Sequence, residues 1–490
     1  MNIKAPASLE PLREKVANAL VKQGLPSLAV AVAREGEVIW AEGFGWADRA
    51  KRVPADAHTP YSLASISKPV TAVGLMRLVQ QGKVELDAPV EQYLDGRLNA
   101  RAGVADEATV RRVAEHTAGL PLHYHFFYED EPFTRPHMAE TMRRYATLVS
   151  APGERMNYSN LGYGILDHLI ARVSGVSYAE FLRQEVFNPL GMTRSSVDPD
   201  PALADVTATR YGADGVPYPF YDFDHPGGSA VYSSAYDLVR FAMANLGTLM
   251  ADQREVLDAR TIEEMHRPSP LAKDGHGYGI GWGTVEDEGG YQTRGHTGGM
   301  GGVATVMTLV PSEQVAVVAL CNAGGLLPHW ARLEMLAALL PKYAEQKDKV
   351  MAALMQQAMP PAQAPRPDVV SELVGKWEGV VETHEESLPV TIEFAADGGA
   401  TARLGTQLRT LVDEIRWDGE RFAGKMHGDL RTEDARRRPG HVALDLRLRG
   451  DVIDGAATAM TDYPEGEGGA PGRRVGNALS HWIRLERATG

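Results

Sequence analysis

Ser65 and Lys68 stand three residues apart in Ser65-Ile66-Ser67-Lys68, at the start of a helical pattern. That spacing puts hydroxyl and amine on one helix face, a turn apart. A serine hydroxyl attacks a carbonyl only when a base takes its proton. Lysine serves as that base when burial or another cation lowers its proton affinity. A serine in the first turn also lies among free backbone N–H groups and the positive end of the helix dipole, which can hold a developing oxyanion. Alone the pattern is weak, because a helix-capping serine gives the same text. It occurs once, however, and two companions follow in chain order. Tyr158-Ser159-Asn160 stands before a helical stretch, and His296-Thr297-Gly298 before a strand starting near Val303. The set supplies a nucleophile, two proton carriers, a side-chain amide and a glycine-rich strand edge for main-chain contact with a substrate.

Elements able to position these groups can be read from periodicity. Leu9, Leu12, Val16 and Leu20 mark a helix over 8–22. Two strands follow, Ser27–Ala33 and Val38–Phe44, turning at Glu35-Gly36. Helices are expected at Lys68–Gln81, Gly162–Val173, Tyr178–Glu185, Ala235–Asn245 and around His329–Leu340, with late strands Val303–Val310 and Gln314–Cys321. Strands at both ends with helices between them predict a mixed α/β (α+β) domain over 1–345, its terminal segments sharing an antiparallel sheet. A proline-rich linker is expected over 346–368, centred on the run Met359 to Pro367. Alternation at Leu388, Val390, Ile392, Phe394 and again at Val442, Leu444, Leu446, Leu448, with a hairpin at Asp418-Gly419, predicts a small all-β barrel over 369–490.

Composition narrows the class. A chain of 490 residues, 44% hydrophobic and 23% charged, is globular and long enough for two domains. The net charge of −14 argues against a nucleic-acid partner. The basic run Arg436-Arg437-Arg438 reads as a solvated turn. One cysteine excludes an internal disulfide, and Cys321, in an apolar run, reads as a buried strand residue. No stretch is long and apolar enough for a membrane helix, and no secretory signal opens the chain, so a cytoplasmic location is expected, although an exported mature form would read the same. His116, His123, His125 and His137 match no established zinc spacing, and no metal site or cofactor is expected. The loop from His123 to Tyr128 is instead a candidate for substrate contact. Gly277, Gly279, Gly281 and Gly283 alternate in a segment read as a tightly packed strand.

The three motifs resemble those of the class C β-lactamase, penicillin-binding protein, D-aminopeptidase and esterase superfamily of serine hydrolases. Flanking text such as EHTAGLP, FNPLGM, VYSSAYDLVRFA and GYGIGWG supports the resemblance over roughly residues 8 to 340. The segment beginning LVGKWEG resembles, more loosely, a lipocalin-like barrel that some members append. The resemblance implies that Ser65 is acylated, that Lys68 and Tyr158 share its proton, and that Asn160 positions the acyl amide and Lys68. It places His296 beside Tyr158, Gly298 on the substrate-binding edge, and the oxyanion hole at the backbone N–H groups of Ser65 and Gly299. Which of Lys68 and Tyr158 is the base stays open at this level. Relatives that bind penicillin usually carry lysine where this chain has His296, a residue only partly charged near neutral pH. The expected substrate is therefore a small ester or amide rather than a β-lactam. Acyl transfer, including transesterification and thioester macrocyclisation, is the first alternative. A slow penicillin-type receptor, or a ligand-binding role for the barrel, are the others.

Overall fold

The computed structural model describes residues 2–358, 372–461 and 476–488. Two strand groups far apart in the chain meet in one antiparallel sheet. They are β1 (Ser27–Arg34), β2 (Glu37–Asp48), β3 (Val53–Pro54), β4 (His276–Tyr278), β5 (Gly283–Glu288), β6 (Tyr291–Met300), β7 (Val303–Val310) and β8 (Val315–Cys321), arranged β4-β5-β6-β7-β8-β1-β2-β3. The register pairs Leu28 with Cys321 and Arg34 with Val315, so the two ends of this part of the chain are adjacent, as expected.

Both faces of the sheet are covered, and the period of two sorts its residues between two cores. Leu28, Val30, Val32, Val306 and Val317 pack under the terminal helices α1 (Glu10–Gln23) and Leu327–Leu339. Ala29, Ala31, Met307, Val318 and Leu320 join the opposite core, formed with α2 (Ser67–Gln80) and α3 (Asn160–Ser174). Cys321 is buried on its strand, where burial pushes its thiol up to about 12. The Glu35-Gly36 turn forms with φ of 51° and 84°, the doubly left-handed conformation that joins twisted strands.

Beyond this part, strands from Gly375–Glu382 to Ala478–Arg487 close an eight-stranded antiparallel barrel. Asp418-Gly419 connects two of them. Its interior is filled by Trp377, Ile392, Phe394, Phe422, Leu444 and Ile483.

Several local expectations need correction. Residues 346–358, read as linker, are helical, because the helix Pro341–Ala358 continues to the start of the proline run. That run itself lies outside the described residues. The GYGIGWG segment is a strand, a turn and a strand rather than one strand. A Cβ on Gly279 would stand 2.3 Å from the Met265 carbonyl oxygen, and one on Gly281 (φ 84°) 2.4 Å from Ala72 Cβ. The chain there is wedged against α2. Nor is the basic run a solvated turn: the side chains of Arg437 and Arg438 are only 5% and 6% exposed, against Phe127, Phe133 and Tyr128.

Candidate active site

Ser65 sits in a single 3₁₀ turn, Ala64–Ile66, that runs directly into α2. The preceding Ala64 has φ 49°, a left-handed conformation costly for a residue with a Cβ. Such strain persists only when packing enforces it, here between Leu63 and the buried Ile66. Lys68 lies one turn on, fully buried. Its Nζ is 3.2 Å from Ser65 Oγ, 2.6 Å from Asn160 Oδ1 and 2.9 Å from the Gly228 carbonyl oxygen. Burial drives the Lys68 proton affinity well below the ordinary lysine range. A neutral amine has two N–H donors and one lone pair. With the amide and the carbonyl as acceptors, a neutral amine would turn its lone pair to Ser65, whereas an ammonium would donate to Oγ.

Asn160 cannot turn its amide round. Its Nδ2 donates to the His123 carbonyl at 2.9 Å, which fixes Oδ1 toward Lys68. Ser159 caps α3 by accepting from the Gly162 N–H, and Tyr158 stands just before the cap. Burial pushes the Tyr158 ionisation up, and the neighbouring Ser65 hydroxyl acts in the opposite direction. Lys68 Nζ lies 4.7 Å from the centre of the Tyr158 ring. Hydroxyl, amine and phenol thus converge from α2 and the start of α3.

His296 is reached from β6. Its Nδ1–H donates to the Thr297 carbonyl at 2.6 Å, so Nε2 accepts from the Tyr278 hydroxyl at 3.0 Å. Burial and the nearby Lys68 both disfavour its charged form. This is a neutral ring, 6.4 Å centre to centre from Tyr158. Beyond Gly295, β6 has outrun β5, and residues 296–300 form an edge against the nucleophile turn. A Cβ on Gly298 would lie 2.1 Å from the Leu63 carbonyl oxygen, so only glycine allows that approach. Gly299 is exposed, with open space where a side chain would be. All seven predicted site residues are therefore gathered in one place. Beside Tyr158 and His296 opens a cavity of about 630 Å³, lined also by Tyr278, Arg294 and Thr297.

Three supporting residues escaped sequence reasoning. His116, within EHTAGLP, accepts the Ser159 N–H on Nδ1 at 3.1 Å and lays its ring 4.4 Å from that of Tyr158. Gly228 supplies a carbonyl to Lys68. Tyr278 orients His296. Only the flanking motifs EHTAGLP and GYGIGWG pointed toward two of them, and nothing toward Gly228.

The loop from His123 to Tyr128 is not an open substrate wall. It is buried beneath the barrel: the Tyr124 and Ala478 backbones exchange hydrogen bonds, Ser480 Oγ donates to the Leu122 carbonyl at 2.6 Å, and Arg438 donates to the Phe126 carbonyl at 3.1 Å. It reaches the site at two points, the His123 carbonyl that holds Asn160 and the half-buried Tyr124, whose phenol lies near enough to Tyr158 to disfavour its ionisation. No helix among the described residues is long and apolar enough to cross a membrane.

Comparison with known proteins matches residues 12–342 to the family model described as Beta-lactamase. Penicillin-binding protein 4 of Amycolatopsis lactamdurans is 27% identical over 374 residues, covering 72% of this chain and 93% of the relative. Among solved structures, the octameric penicillin-binding protein homologue from Pyrococcus abyssi is 22% identical with a TM-score of 0.60, over 91% of this chain and 97% of that one. EstCE1, described as a hydrolase with promiscuous acyltransferase activity, is 22% identical with a TM-score of 0.56, over 66% of this chain and 97% of its own. At such identities these likenesses establish the fold.

Proposed function

The chain belongs to the beta-lactamase family of serine hydrolases, and from that premise we propose that it cleaves a small ester or amide through an acyl-enzyme on Ser65. The observation that carries this reading is the buried Lys68 amine, 3.2 Å from Ser65 Oγ, with an amide and a carbonyl oxygen to occupy its two N–H donors. Neutral Lys68 takes the Ser65 proton as Oγ bonds to the substrate carbonyl carbon. Negative charge then collects on the carbonyl oxygen, facing the N–H groups of Ser65 and Gly299. Tyr158, its phenol intact, relays the proton from Lys68 to the departing alcohol or amine. Water, deprotonated by the same pair, releases the acid and restores Ser65. Asn160 acts as the positioning residue for the amine, and the edge at Gly298 would take the substrate main chain as an added strand.

A neutral His296 favours substrates without a carboxylate to be held by fixed charge, hence an ester or amide rather than a β-lactam. Acyl transfer to an alcohol or amine uses the same acyl-enzyme and differs only in the acceptor. The barrel's part is to hold the segment that anchors Asn160.

Intact mass spectrometry with a fluorophosphonate tests the nucleophile. One adduct on the wild-type chain, absent from Ser65→Ala, is expected, with turnover of p-nitrophenyl esters or D-amino-acid anilides exceeding that of nitrocefin. An adduct that survives Ser65→Ala would overturn the assignment. An ester turned over faster into amide than into acid, when an amine is added, would move the reading to acyl transfer.

A further inference from the structure

Behind the active site, the extended backbone at His123 and His125 turns two imidazoles to the same side, toward Asp224, a hundred residues further on. His123 Nε2 lies 2.9 and 3.1 Å from the two Asp224 oxygens, and His125 Nδ1 lies 3.6 Å from one of them. One ligand atom from each of the three residues falls within 4.8 Å of the others, and all three side chains are at most 1% exposed. His125 Nδ1 has no hydrogen-bond partner among the described residues. Ligands about 2.0–2.1 Å from a tetrahedral zinc ion stand roughly 3.3 Å apart; the 2.9 Å pair would open slightly, and a pair as far apart as 4.8 Å would close by side-chain rotation.

The surroundings resemble an outer ligand shell. His225 Nδ1–H donates to Asp224 Oδ1 at 2.8 Å, and Thr141 Oγ1 donates to Oδ2 at 3.2 Å, which would hold a ligating carboxylate in place. Asp434, from the barrel, has an oxygen 3.6 Å from His125 Nε2, ready to accept that ring's proton once Nδ1 binds metal. Two contacts compete: the hydrogen bond between His123 and Asp224 would have to release its proton to make room for the ion, and a guanidinium engages His125. Arg437 Nη1 lies 3.1 Å from the same Nε2 and would have to give it up, keeping its pairing with Asp434 at 3.7 Å and Glu131 at 3.6 Å.

We propose that His123, His125 and Asp224 bind one divalent transition-metal ion of the zinc class, whose place is to fasten the barrel to the hydrolase core. Two imidazoles and a carboxylate suit zinc better than calcium or magnesium, which prefer all-oxygen shells. The ion would not touch substrate. It would set the His123 backbone, whose carbonyl holds Asn160, and through His125 it would join the Asp434 turn of the barrel. The position explains why spacing along the chain concealed it: the third ligand comes from a different element. Because the ligands are buried, loading accompanies folding.

The test uses the full-length chain refolded either with zinc sulfate or with a chelator, then freed of loose metal by gel filtration. Mass spectrometry of metals should count about one zinc per chain in the first preparation, which should also melt higher than the second. Asp224→Asn and His125→Gln should each lose most of that metal. Because either variant could misfold, zinc-edge X-ray absorption of the wild-type protein supplies an independent reading, expected to show two imidazoles and an oxygen shell. A folded wild-type chain that holds no zinc after refolding with it would overturn the proposal. So would metal retained equally in both variants, or an absorption spectrum without imidazole. None of these outcomes depends on Ser65 being the nucleophile.

Discussion

Replacing Asn160 by aspartate puts a carboxylate oxygen where Oδ1 now lies, 2.6 Å from Lys68 Nζ, and changes little else in volume. At an effective dielectric near 20, a unit charge at that distance favours the ammonium by about 6 kcal/mol. Burying the new carboxylate, which can no longer donate to the His123 carbonyl, offsets about half of this. A net gain of about 3–4 kcal/mol raises the Lys68 pKa by roughly two to three units relative to wild type. If neutral Lys68 is the base, the variant loses about 10²–10³ in kcat/KM near pH 7 and regains it nearly tenfold per pH unit as pH rises. The measurement is a pH profile of kcat/KM for an activated ester, alongside circular dichroism to establish folding. A profile of wild-type shape, merely lowered, would show that the amide matters for geometry alone. An unchanged or higher rate at pH 7 would refute the mechanism, because it would mean that a permanently charged Lys68 serves as well, with Tyr158 as the base.

Two further expectations concern stability. Asp167 accepts the Gly227 N–H at 2.6 Å, beside the turn that offers the Gly228 carbonyl to Lys68, and burial raises its pKa to about 8. The folded state thus keeps a proton that the unfolded chain releases near pH 4, so stability falls between about pH 4 and 8, by at most roughly 1.4 kcal/mol per pH unit. Asp167→Asn should flatten the dependence of Tm on pH across that window, whereas an unchanged slope would mean that another group carries it. Arg438 donates to the Phe126 carbonyl and to Asn477 Oδ1, both at 3.1 Å, and pairs with Glu131 at 2.6 Å, all beneath the barrel. Arg438→Ala should cost about 3–5 kcal/mol and lower Tm, since it strips a buried ion pair of one partner; a loss below 1 kcal/mol would show that the barrel docks without it.

What could be read from the sequence, and what could not, divides along the range of the interaction. The Ser65–Lys68 pair is set by helical spacing, and β1, β2, β7 and β8 by short apolar runs bounded by turns, so local patterns sufficed for both. Gathering Tyr158 and His296 beside them required the resemblance as well, because no local rule says that α3 and β6 meet. The failures share a different cause. Arg437 and Arg438 look like solvent-facing residues by charge alone; their burial follows from Glu131, Phe127 and Phe133, three hundred residues away. His123 and His125 likewise acquire a meaning only from Asp224 and Asp434. The GYGIGWG glycines are tightly packed as expected, but the break between two strands was missed for the same reason, since it is set by the distant Ala72 and Met265. Burying a charge or an imidazole costs several kcal/mol unless a partner arrives, and in this chain the partners arrive across the contact between hydrolase core and barrel. It follows that the barrel is bound up with the site's geometry: Ala478 holds the Tyr124 backbone, the neighbouring His123 carbonyl holds Asn160, and Asn160 holds the Lys68 amine beside Ser65.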